Sequence, residues 1–314
     1  MNCFFKSLKF LLLLGLVLFI GSLLLFGHKD IPVEELKRKY TNEASSFLAI
    51  DDMEVHYRDE GPKNDDVPIV LIHGTASSLH TFDAWTAQLK KTQRVIRMDL
   101  PGFGLTGPFP DGNYSMSHYS EFLNQFLTAL GIKSCIIGGN SLGGEIAWNF
   151  TVDHPDMVEK LILIDAAGFH LDPKSIPIGF KVAQIPILKN LFTYVTPRFL
   201  VKSSVENVFF DKSKVHPALV DRYYDLTLRE GNRQAFVDRI NTKDNDHSEN
   251  LKKIKQPTLI IWGSDDLLIP LDYAYKFQNY LPNSRLSVIE HSGHTPMEEH
   301  PMQSLKPVYD FLKN

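Results

Sequence analysis

The sequence predicts an α/β fold in which a mostly parallel β-sheet carries helices on both faces and an all-helical cap interrupts the alternation. Strand-like and helix-like stretches alternate along most of the chain, which is typical of a parallel sheet. The strand-like stretches include continuous apolar runs, as expected of strands that are buried on both faces. Between about Gly168 and Ile254 no strand-like run separates the helical ones, which indicates an insertion.

The elements of this fold follow one another in a regular order. Phe47–Ile50 and Met53–Tyr57 predict an opening hairpin that turns at Asp51 and Asp52. The elements predicted before the insertion are strand Pro68–Ile72, helix Phe82–Leu89, strand Arg94–Met98, helix Ser117–Leu130, strand Ser134–Gly138, helix Leu142–His154 and strand Leu161–Ile164. After it come strands Thr258–Trp262 and Leu286–Ile289 and a closing helix, Pro301–Leu312. We expect the insertion to cover the carboxyl edge of the sheet, where such sheets bind ligands.

An uncharged apolar run, Phe10–Phe26, lies near the start of the sequence. As a helix it would span roughly 25 Å, the short end of a membrane crossing. Lys6 and Lys9 precede it and favour a cytoplasmic N-terminus. The run predicts a single-pass membrane anchor with the rest of the chain on the extracytoplasmic side. The alternative is a cleaved signal peptide, but the run is longer than the usual ~7–15 apolar residues and lacks a convincing cleavage site.

The predicted organisation has four parts. Residues 1–30 form the membrane anchor, 31–45 a polar linker, 46–167 and 255–314 the α/β core, and 168–254 the helical cap. The 314 residues carry a formal net charge of -4 and contain no basic stripe, which argues against nucleic-acid binding.

Cysteine and histidine spacing gives no sign of a structural metal or a disulfide. Cys3 precedes the apolar run and Cys135 lies in a predicted strand, so the folded body has one cysteine and cannot form an internal disulfide. His291 and His294 are three residues apart without accompanying ligands in a zinc pattern. We therefore expect neither a metal nor a cofactor.

The segment Gly139-Asn140-Ser141-Leu142-Gly143 is the strongest chemical signal in the sequence. It lies between a predicted strand and a predicted helix, the context of the Gly-x-Ser-x-Gly turn that presents a nucleophilic serine above a sheet. The turn is so tight that larger side chains two residues before or after the serine would collide, which explains both glycines. The pattern predicts Ser141 as a nucleophile.

A serine hydroxyl needs a neighbouring base, and the base needs an orienting acid, in the chain order Ser, Asp, His for this arrangement. His294 follows Gly293 just beyond the last predicted strand and is the favoured base over its neighbours His291 and His300. Asp265 and Asp266 both follow the strand Thr258–Trp262, and one of them is expected to bind backbone N–H groups of the turn while the other faces the histidine. The residues alone leave this choice open.

Other ionisable residues near the predicted strand ends are weaker candidates. Asp165, at the end of another strand, is a third candidate for the acid. His73 begins a loop after Pro68–Ile72 and is expected to have a structural hydrogen-bonding role. The next residue, Gly74, would let the backbone turn so that the Thr75 N–H and the Leu142 N–H bind an oxyanion.

These segments together resemble the α/β-hydrolase superfamily. The matching motifs are His73-Gly74, Asp99-Leu-Pro-Gly-Phe-Gly104, Gly139-Asn-Ser-Leu-Gly-Gly144, Trp262-Gly-Ser-Asp-Asp266 and Gly293-His294. The resemblance covers roughly residues 45–314. In the family pattern Gly-x-x-Asp-x-x-x-Pro the acid precedes the proline by four residues, which implies Asp266.

The resemblance also narrows the activity. The segments Gly138–Gly144 and Asp165–Phe169 are similar to those of capped bacterial lipases and esterases, and to those of carbon–carbon bond hydrolases of aromatic degradation. The latter usually carry tryptophan after the histidine, where this chain has Thr295. Dehalogenases and epoxide hydrolases attack with aspartate, and Ser141 argues against them.

The sequence thus predicts a membrane-anchored, cofactor-free serine hydrolase that cleaves a small lipophilic carboxylic ester through an acyl-enzyme. The alternatives are a carbon–carbon bond hydrolase of the meta-cleavage type and a non-catalytic binding protein on the same fold. The apolar-rich start of the insertion, Ile176–Phe192, is expected either to line an acyl pocket above Ser141 or to form the core of the cap.

Overall fold

An eight-stranded sheet with strand order β1-β2-β4-β3-β5-β6-β7-β8 forms the centre of the molecule. The computed structural model describes residues 27–64, 66–170, 172–243 and 246–313, and also positions 10, 13, 15 and 21. The strands are β1 Ser45–Ile50, β2 Met53–Glu60, β3 Ile69–Ile72, β4 Val95–Met98, β5 Cys135–Asn140, β6 Val158–Ile164, β7 Thr258–Gly263 and β8 Ser284–Ile289. Strands β3 to β8 are parallel, whereas β1 and β2 pair in antiparallel fashion. The predicted α/β class with a mostly parallel sheet is confirmed.

Helices cover both faces of the sheet because side chains of each central strand alternate between two cores. Val70 and Ile72 of β3 belong to one core, and Ile69 and Leu71 belong to the other. The first core packs against α3 Met116–Ala129, α4 Leu142–Asp153 and α10 Asp272–Tyr280, and the second against α2 Asp83–Leu89 and α12 Pro301–Leu312. Every residue of the strands β3, β4, β5 and β7 is therefore buried.

The segment between β6 and β7 is helical in the part of it that the structure describes. It contains α5 Ile178–Gln184, α6 Pro186–Phe192, α7 Arg198–Val208, α8 Pro217–Thr227 and α9 Asn232–Asn241. These helices lie over the loops that follow β3 and β4, because residues of both groups line one cavity. A short helix of the body, α11 Pro296–Glu299, lies just after β8 and the histidine loop.

A helix occupies part of the segment that polar composition predicts to be a linker. Helix α1, Val33–Tyr40, buries Leu36 and Tyr40, which are four residues apart and therefore on one helical face. The Tyr40 hydroxyl donates a hydrogen bond to Asp225 of α8 at 2.8 Å. Only two side chains of this charged stretch are buried, and so short an apolar pattern does not stand out in the sequence. The helix was therefore not predicted.

The predicted membrane localisation needs correction. No helix among the described residues is both long and apolar enough to cross a membrane. A crossing helix needs about 20 apolar residues, and α3, at 14 residues, is longer than any other helix that the structure describes. The predicted anchor, Phe10–Phe26, falls outside the described residues except at positions 10, 13, 15 and 21.

Candidate active site

Ser141 lies in a strained turn between β5 and α4. Its backbone φ of 55° and ψ of -119° are in a region that non-glycine residues rarely adopt. A Cβ on Gly139 would lie 2.1 Å from the Gly143 carbonyl oxygen, and one on Gly143 would lie 2.2 Å from the Ile72 carbonyl oxygen. Only glycine fits at either position, so the local sequence forces the turn that presents Ser141 at the carboxyl edge of the sheet.

His294 and Asp266 are hydrogen-bonded at the same edge. The His294 Nδ1 atom lies 2.6 Å from the Asp266 Oδ2 atom, and both residues are buried. The His294 Nε2 atom is buried and has no hydrogen-bond partner among the residues that the structure describes. Since the carboxylate accepts from Nδ1–H, the free Nε2 is in the acceptor tautomer that a general base requires.

Asp266 both binds the backbone N–H groups of its turn and faces His294, two roles that the sequence analysis assigned to separate aspartates. Asp266 accepts the Leu268 and Ile269 backbone N–H groups with Oδ1, at 2.8 and 3.0 Å, and faces His294 with Oδ2. Asp265 instead accepts the Ser264 hydroxyl at 2.5 Å and does not face the histidine. The expected division of roles was therefore wrong, and the turn and the histidine share a single carboxylate.

Asn140 joins the serine turn to the histidine loop. Its side-chain amide donates hydrogen bonds to the His294 carbonyl at 3.0 Å and to the Ile164 carbonyl at 3.1 Å. The residue precedes Ser141 directly, so the two loops are held against each other by a buried bond. This contact places the serine turn beside the loop of His294, which is itself hydrogen-bonded to Asp266.

Thr75 and Leu142 lie on either side of the serine turn. A Cβ on Gly74 would lie 3.0 Å from the Ser141 Cβ, so the Thr75 loop passes close beside the serine. Ala76 has φ of 59°, which marks a sharp turn directly after Thr75. Leu142 is the first residue of α4, and the N–H groups of a first helical turn have no acceptor within their own helix.

His73 has no free ring nitrogen. Its Nδ1 lies 2.8 Å from the Gly74 carbonyl and its Nε2 accepts the Leu100 N–H at 2.9 Å. Complete burial lowers the pKa of His73, which favours the neutral ring. His73 is thus a structural crosslink between the loops after β3 and β4, and it is not available as a base.

Asp165, at the end of β6, lies next to the Asp266–His294 pair. Its φ is 43°, it is fully buried, and its Oδ1 accepts the Gly263 N–H at 2.9 Å. Burial, and then the negative charge of Asp266, raise the pKa of Asp165 well above its usual range. Burial and the neighbouring carboxylate thus both favour the neutral form of Asp165.

Asp165, Asp266 and His294 form a group of potential metal ligands among the described residues. One ligand atom from each of Asp165, Asp266 and His294 lies within 4.8 Å of the others. Two ligands on one tetrahedral zinc ion would be roughly 3.4 Å apart, given metal–ligand bonds of about 2.0–2.2 Å. The 2.6 Å between His294 and Asp266 fits a direct hydrogen bond instead.

Glu299 is a site residue that sequence analysis missed. Its buried carboxylate accepts the N–H groups of Gly293, Phe210 and Asp211, at 2.7, 3.2 and 2.6 Å. The His294 N–H also donates to the Val208 carbonyl at 2.8 Å. The histidine loop is therefore fixed to the insertion as well as to the sheet. The sequence feature that could have indicated this role is the position of Glu299, an acidic residue two positions before Pro301 and close to the histidine.

An apolar cavity separates the insertion from the strand-end loops. The empty space between its lining residues, open solvent included, is about 850 Å³. Its lining includes Ala76 and Phe103 from the loops, Leu268 from the turn after Asp266, and Phe180 and Val205 from the insertion. None of the described lining residues is charged. The lining includes neither Ser141 nor His294; it reaches the candidate site through Ala76, next to Thr75, and Leu268, whose N–H binds Asp266.

Comparison with known proteins matches this architecture. The family described as alpha/beta hydrolase fold matches residues 67–301. The 2-hydroxymuconate semialdehyde hydrolase of Pseudomonas putida is 30% identical over 258 residues, which cover 78% of this chain and 86% of that protein. The 2-hydroxy-6-oxo-6-(2'-aminophenyl)hexa-2,4-dienoic acid hydrolase of Metapseudomonas resinovorans is 29% identical over 275 residues, covering 85% and 90%.

A solved structure bears a different functional name. The crystal structure of a proposed lipase from Acinetobacter baumannii superimposes with a TM-score of 0.75 and 25% sequence identity. The superposition covers 91% of this chain and 97% of that one. The similar proteins therefore share the fold and differ in the substrates that their names indicate.

Proposed function

The chain belongs to the α/β-hydrolase family and is a hydrolase of that fold, and we propose that it cleaves uncharged, lipophilic carboxylic esters with Ser141 as nucleophile. The observation that carries the ester assignment is the cavity under the insertion, whose described lining residues are mostly apolar and none of them charged. An acyl chain gains up to about 0.8 kcal/mol for each methylene that it buries. A carboxylate in the same cavity would lose its hydration without a cation to replace it.

The first half of the proposed reaction forms an acyl-enzyme. The Ser141 Oγ attacks the ester carbonyl carbon while the His294 Nε2 takes the hydroxyl proton. The Asp266 carboxylate, 2.6 Å from Nδ1, stabilises the resulting imidazolium. The N–H groups of Thr75 and Leu142 stabilise the negative oxygen of the tetrahedral intermediate. The intermediate then expels the alkoxide, which leaves as the alcohol with the proton from His294.

The second half releases the acid. Water attacks the acyl carbonyl, and His294 takes a proton from it. A second tetrahedral intermediate, held by the same two N–H groups, expels the Ser141 oxygen, which recovers the proton from His294. The products are a carboxylic acid and an alcohol, and no cofactor is needed.

The curated relatives favour a second candidate. Two of them, 29% and 30% identical to this chain, are named as hydrolases of a dienoic acid and of a semialdehyde. A carbon–carbon hydrolase could use the same serine, histidine and aspartate. Its dienoic acid substrate carries a carboxylate, and the uncharged cavity argues for the ester.

Two assays test the proposal. A fluorophosphonate probe should label the purified protein and should not label Ser141→Ala. The control variant Ser203→Ala, in which an exposed serine is replaced, should still be labelled. Labelling of Ser141→Ala would refute the nucleophile. Turnover of p-nitrophenyl hexanoate should then exceed turnover of a 2-hydroxy-6-oxo-hexadienoate. The reverse order would refute the ester assignment and support carbon–carbon cleavage.

A further inference from the structure

The Asp165 carboxyl group lies against the Asp266–His294 pair and has no task in the proposed reaction. Its Oδ1 accepts the Gly263 N–H at 2.9 Å. Its Oδ2 is buried and has no donor among the residues that the structure describes. A carboxylate oxygen of Asp165 lies within 4.8 Å of a carboxylate oxygen of Asp266 and of a ring nitrogen of His294.

Two ionised carboxylates cannot share a buried site without strong repulsion, and their oxygens can only accept hydrogen bonds. A proton on one of them removes the repulsion and supplies the missing donor. Asp266 already accepts two backbone N–H groups and faces His294, so its negative charge is well stabilised. Asp165 accepts a single N–H, and the proton therefore belongs to Asp165.

We propose that Asp165 is a positioning residue that stays a neutral carboxylic acid and donates an O–H hydrogen bond to the Asp266 carboxylate. The inference rests on the proposed function, in which Asp266 orients His294. The bond restrains the Asp266 carboxylate through a contact separate from those of the turn N–H groups. It also satisfies the buried Oδ2 atom of Asp165.

The charged surroundings agree with a neutral Asp165. The titratable groups that act on it are Asp266, His294 and Glu299. Asp266 and Glu299 are acidic, and both raise the pKa of Asp165 in addition to the larger effect of burial. The backbone at Asp165, with φ of 43°, lies in a region that non-glycine residues rarely adopt.

Infrared spectroscopy tests the protonation without any activity measurement. At pH 7 the wild-type protein should show the carbonyl stretch of a protonated carboxylic acid, and Asp165→Asn should lose it. The control Asp156→Asn, at an exposed position, should retain the band. A wild-type spectrum without the band, or a band unchanged in Asp165→Asn, would overturn the proposal.

Kinetics test the positioning role. Asparagine keeps both an acceptor for Gly263 and a donor for Asp266, so Asp165→Asn should retain kcat within about threefold. Asp165→Leu removes the donor and should lower kcat roughly 10- to 100-fold with little change in KM. A purely structural requirement for an acid at this position would make Asn as harmful as Leu and would overturn the inference.

The pH profile separates a neutral from an ionised Asp165. Replacing a neutral acid with Asn removes no charge, so the acid-side midpoint of the kcat/KM profile should move by less than about 0.3 units. If Asp165 were ionised, losing its charge beside His294 would lower that midpoint by about one unit or more. Failure of the serine-hydrolase proposal would appear in a different measurement. Ser141→Ala would then retain ester turnover, while the carbonyl band of the protonated Asp165 would be unchanged in its infrared spectrum.

Discussion

The side-chain amide of Asn140 donates a hydrogen bond to the backbone carbonyl of His294 at 3.0 Å. Because Asn140 is adjacent to Ser141, this bond ties the serine turn to the histidine loop. Glu299 and the Val208 carbonyl hold the same loop from the other side. His294 is therefore fixed between the sheet and the insertion. Substitutions that remove a contact on either side should alter the position of His294 and hence the activity.

Ser141→Ala should lower ester turnover by roughly 10³-fold or more without unfolding the protein. The reason is that no other hydroxyl is presented in the strained turn. Removing His294 as well should add little, since serine and base act as a unit. Steady-state kinetics and circular dichroism check this, and near-wild-type turnover of Ser141→Ala would contradict the nucleophile assignment.

Asp266→Asn should lower kcat roughly 10³- to 10⁴-fold, because an amide facing Nδ1 favours the wrong histidine tautomer. Asp265→Asn is the matched control in the same turn. Its carboxylate binds Ser264 and not the histidine, so kcat should stay within about threefold. If the two variants ranked in the opposite order, Asp265 would be the orienting acid.

Glu299→Ala should lower the free energy of unfolding by about 2 kcal/mol or more. The substitution leaves the Gly293, Phe210 and Asp211 N–H groups without their acceptor, and each buried unpaired group costs about 1–3 kcal/mol before relaxation. Urea unfolding measures the change, with exposed Glu290→Ala as control, expected within about 0.5 kcal/mol. Equal stability of the two variants would exclude this role of Glu299.

The specificity constant should rise with acyl length from p-nitrophenyl acetate until the cavity is full, by at most about fourfold per methylene. Val201 lines the cavity, and Val201→Phe should reduce kcat/KM for hexanoyl and longer esters roughly fivefold or more while acetate is little affected. Lys202→Ala, next to it but outside the lining, is the control. A steady fall in kcat/KM from acetate upward would reject the cavity as an acyl site.

Alkaline stability should depend on Tyr40. Burial, and then the hydrogen bond to Asp225, raise the pKa of Tyr40 to about 12. Unfolded tyrosine has a pKa near 10, so between about pH 10 and 12 the unfolded chain releases a proton that the folded protein retains. The stability that Tyr40 contributes is therefore full below pH 10 and is lost as pH rises to 12.

Tyr40→Phe tests this because phenylalanine cannot ionise. The variant should be less stable than wild type at pH 8, by about 1 kcal/mol for the lost hydrogen bond, and its stability should fall less steeply above pH 10. Exposed Tyr275→Phe should follow the wild-type curve. Parallel pH dependences of Tyr40→Phe and wild type would argue against the raised pKa.

Local physics made much of the fold predictable from the sequence. Buried parallel strands must be apolar on both faces, which located β3, β5, β6 and β7 within a few residues. The turn at Ser141 was equally readable, because steric exclusion by backbone atoms allows only glycine at positions 139 and 143. The clash at position 139 is with the Gly143 carbonyl of the same turn, whereas the clash at position 143 is with the Ile72 carbonyl of the neighbouring strand β3.

Contacts between distant segments could not be predicted in this way. Helix α1 forms where a polar linker was expected, because Leu36 and Tyr40 find partners more than 180 residues away only after folding, as the bond of Tyr40 to Asp225 illustrates. Glu299 likewise has a task only when the insertion brings the N–H groups of Phe210 and Asp211 to it.

The sequence by itself determined the class of the fold, the serine turn and the set of acids and histidines that follow the strands. Only the tertiary structure decided which of these side chains meet. Asp265 and Asp266 are adjacent and chemically identical, and it is the packing of β7 beside β8 that turns Asp266 towards His294. A side chain's direction from a turn depends on the neighbouring strands, whereas a strand's apolar pattern depends on its own residues.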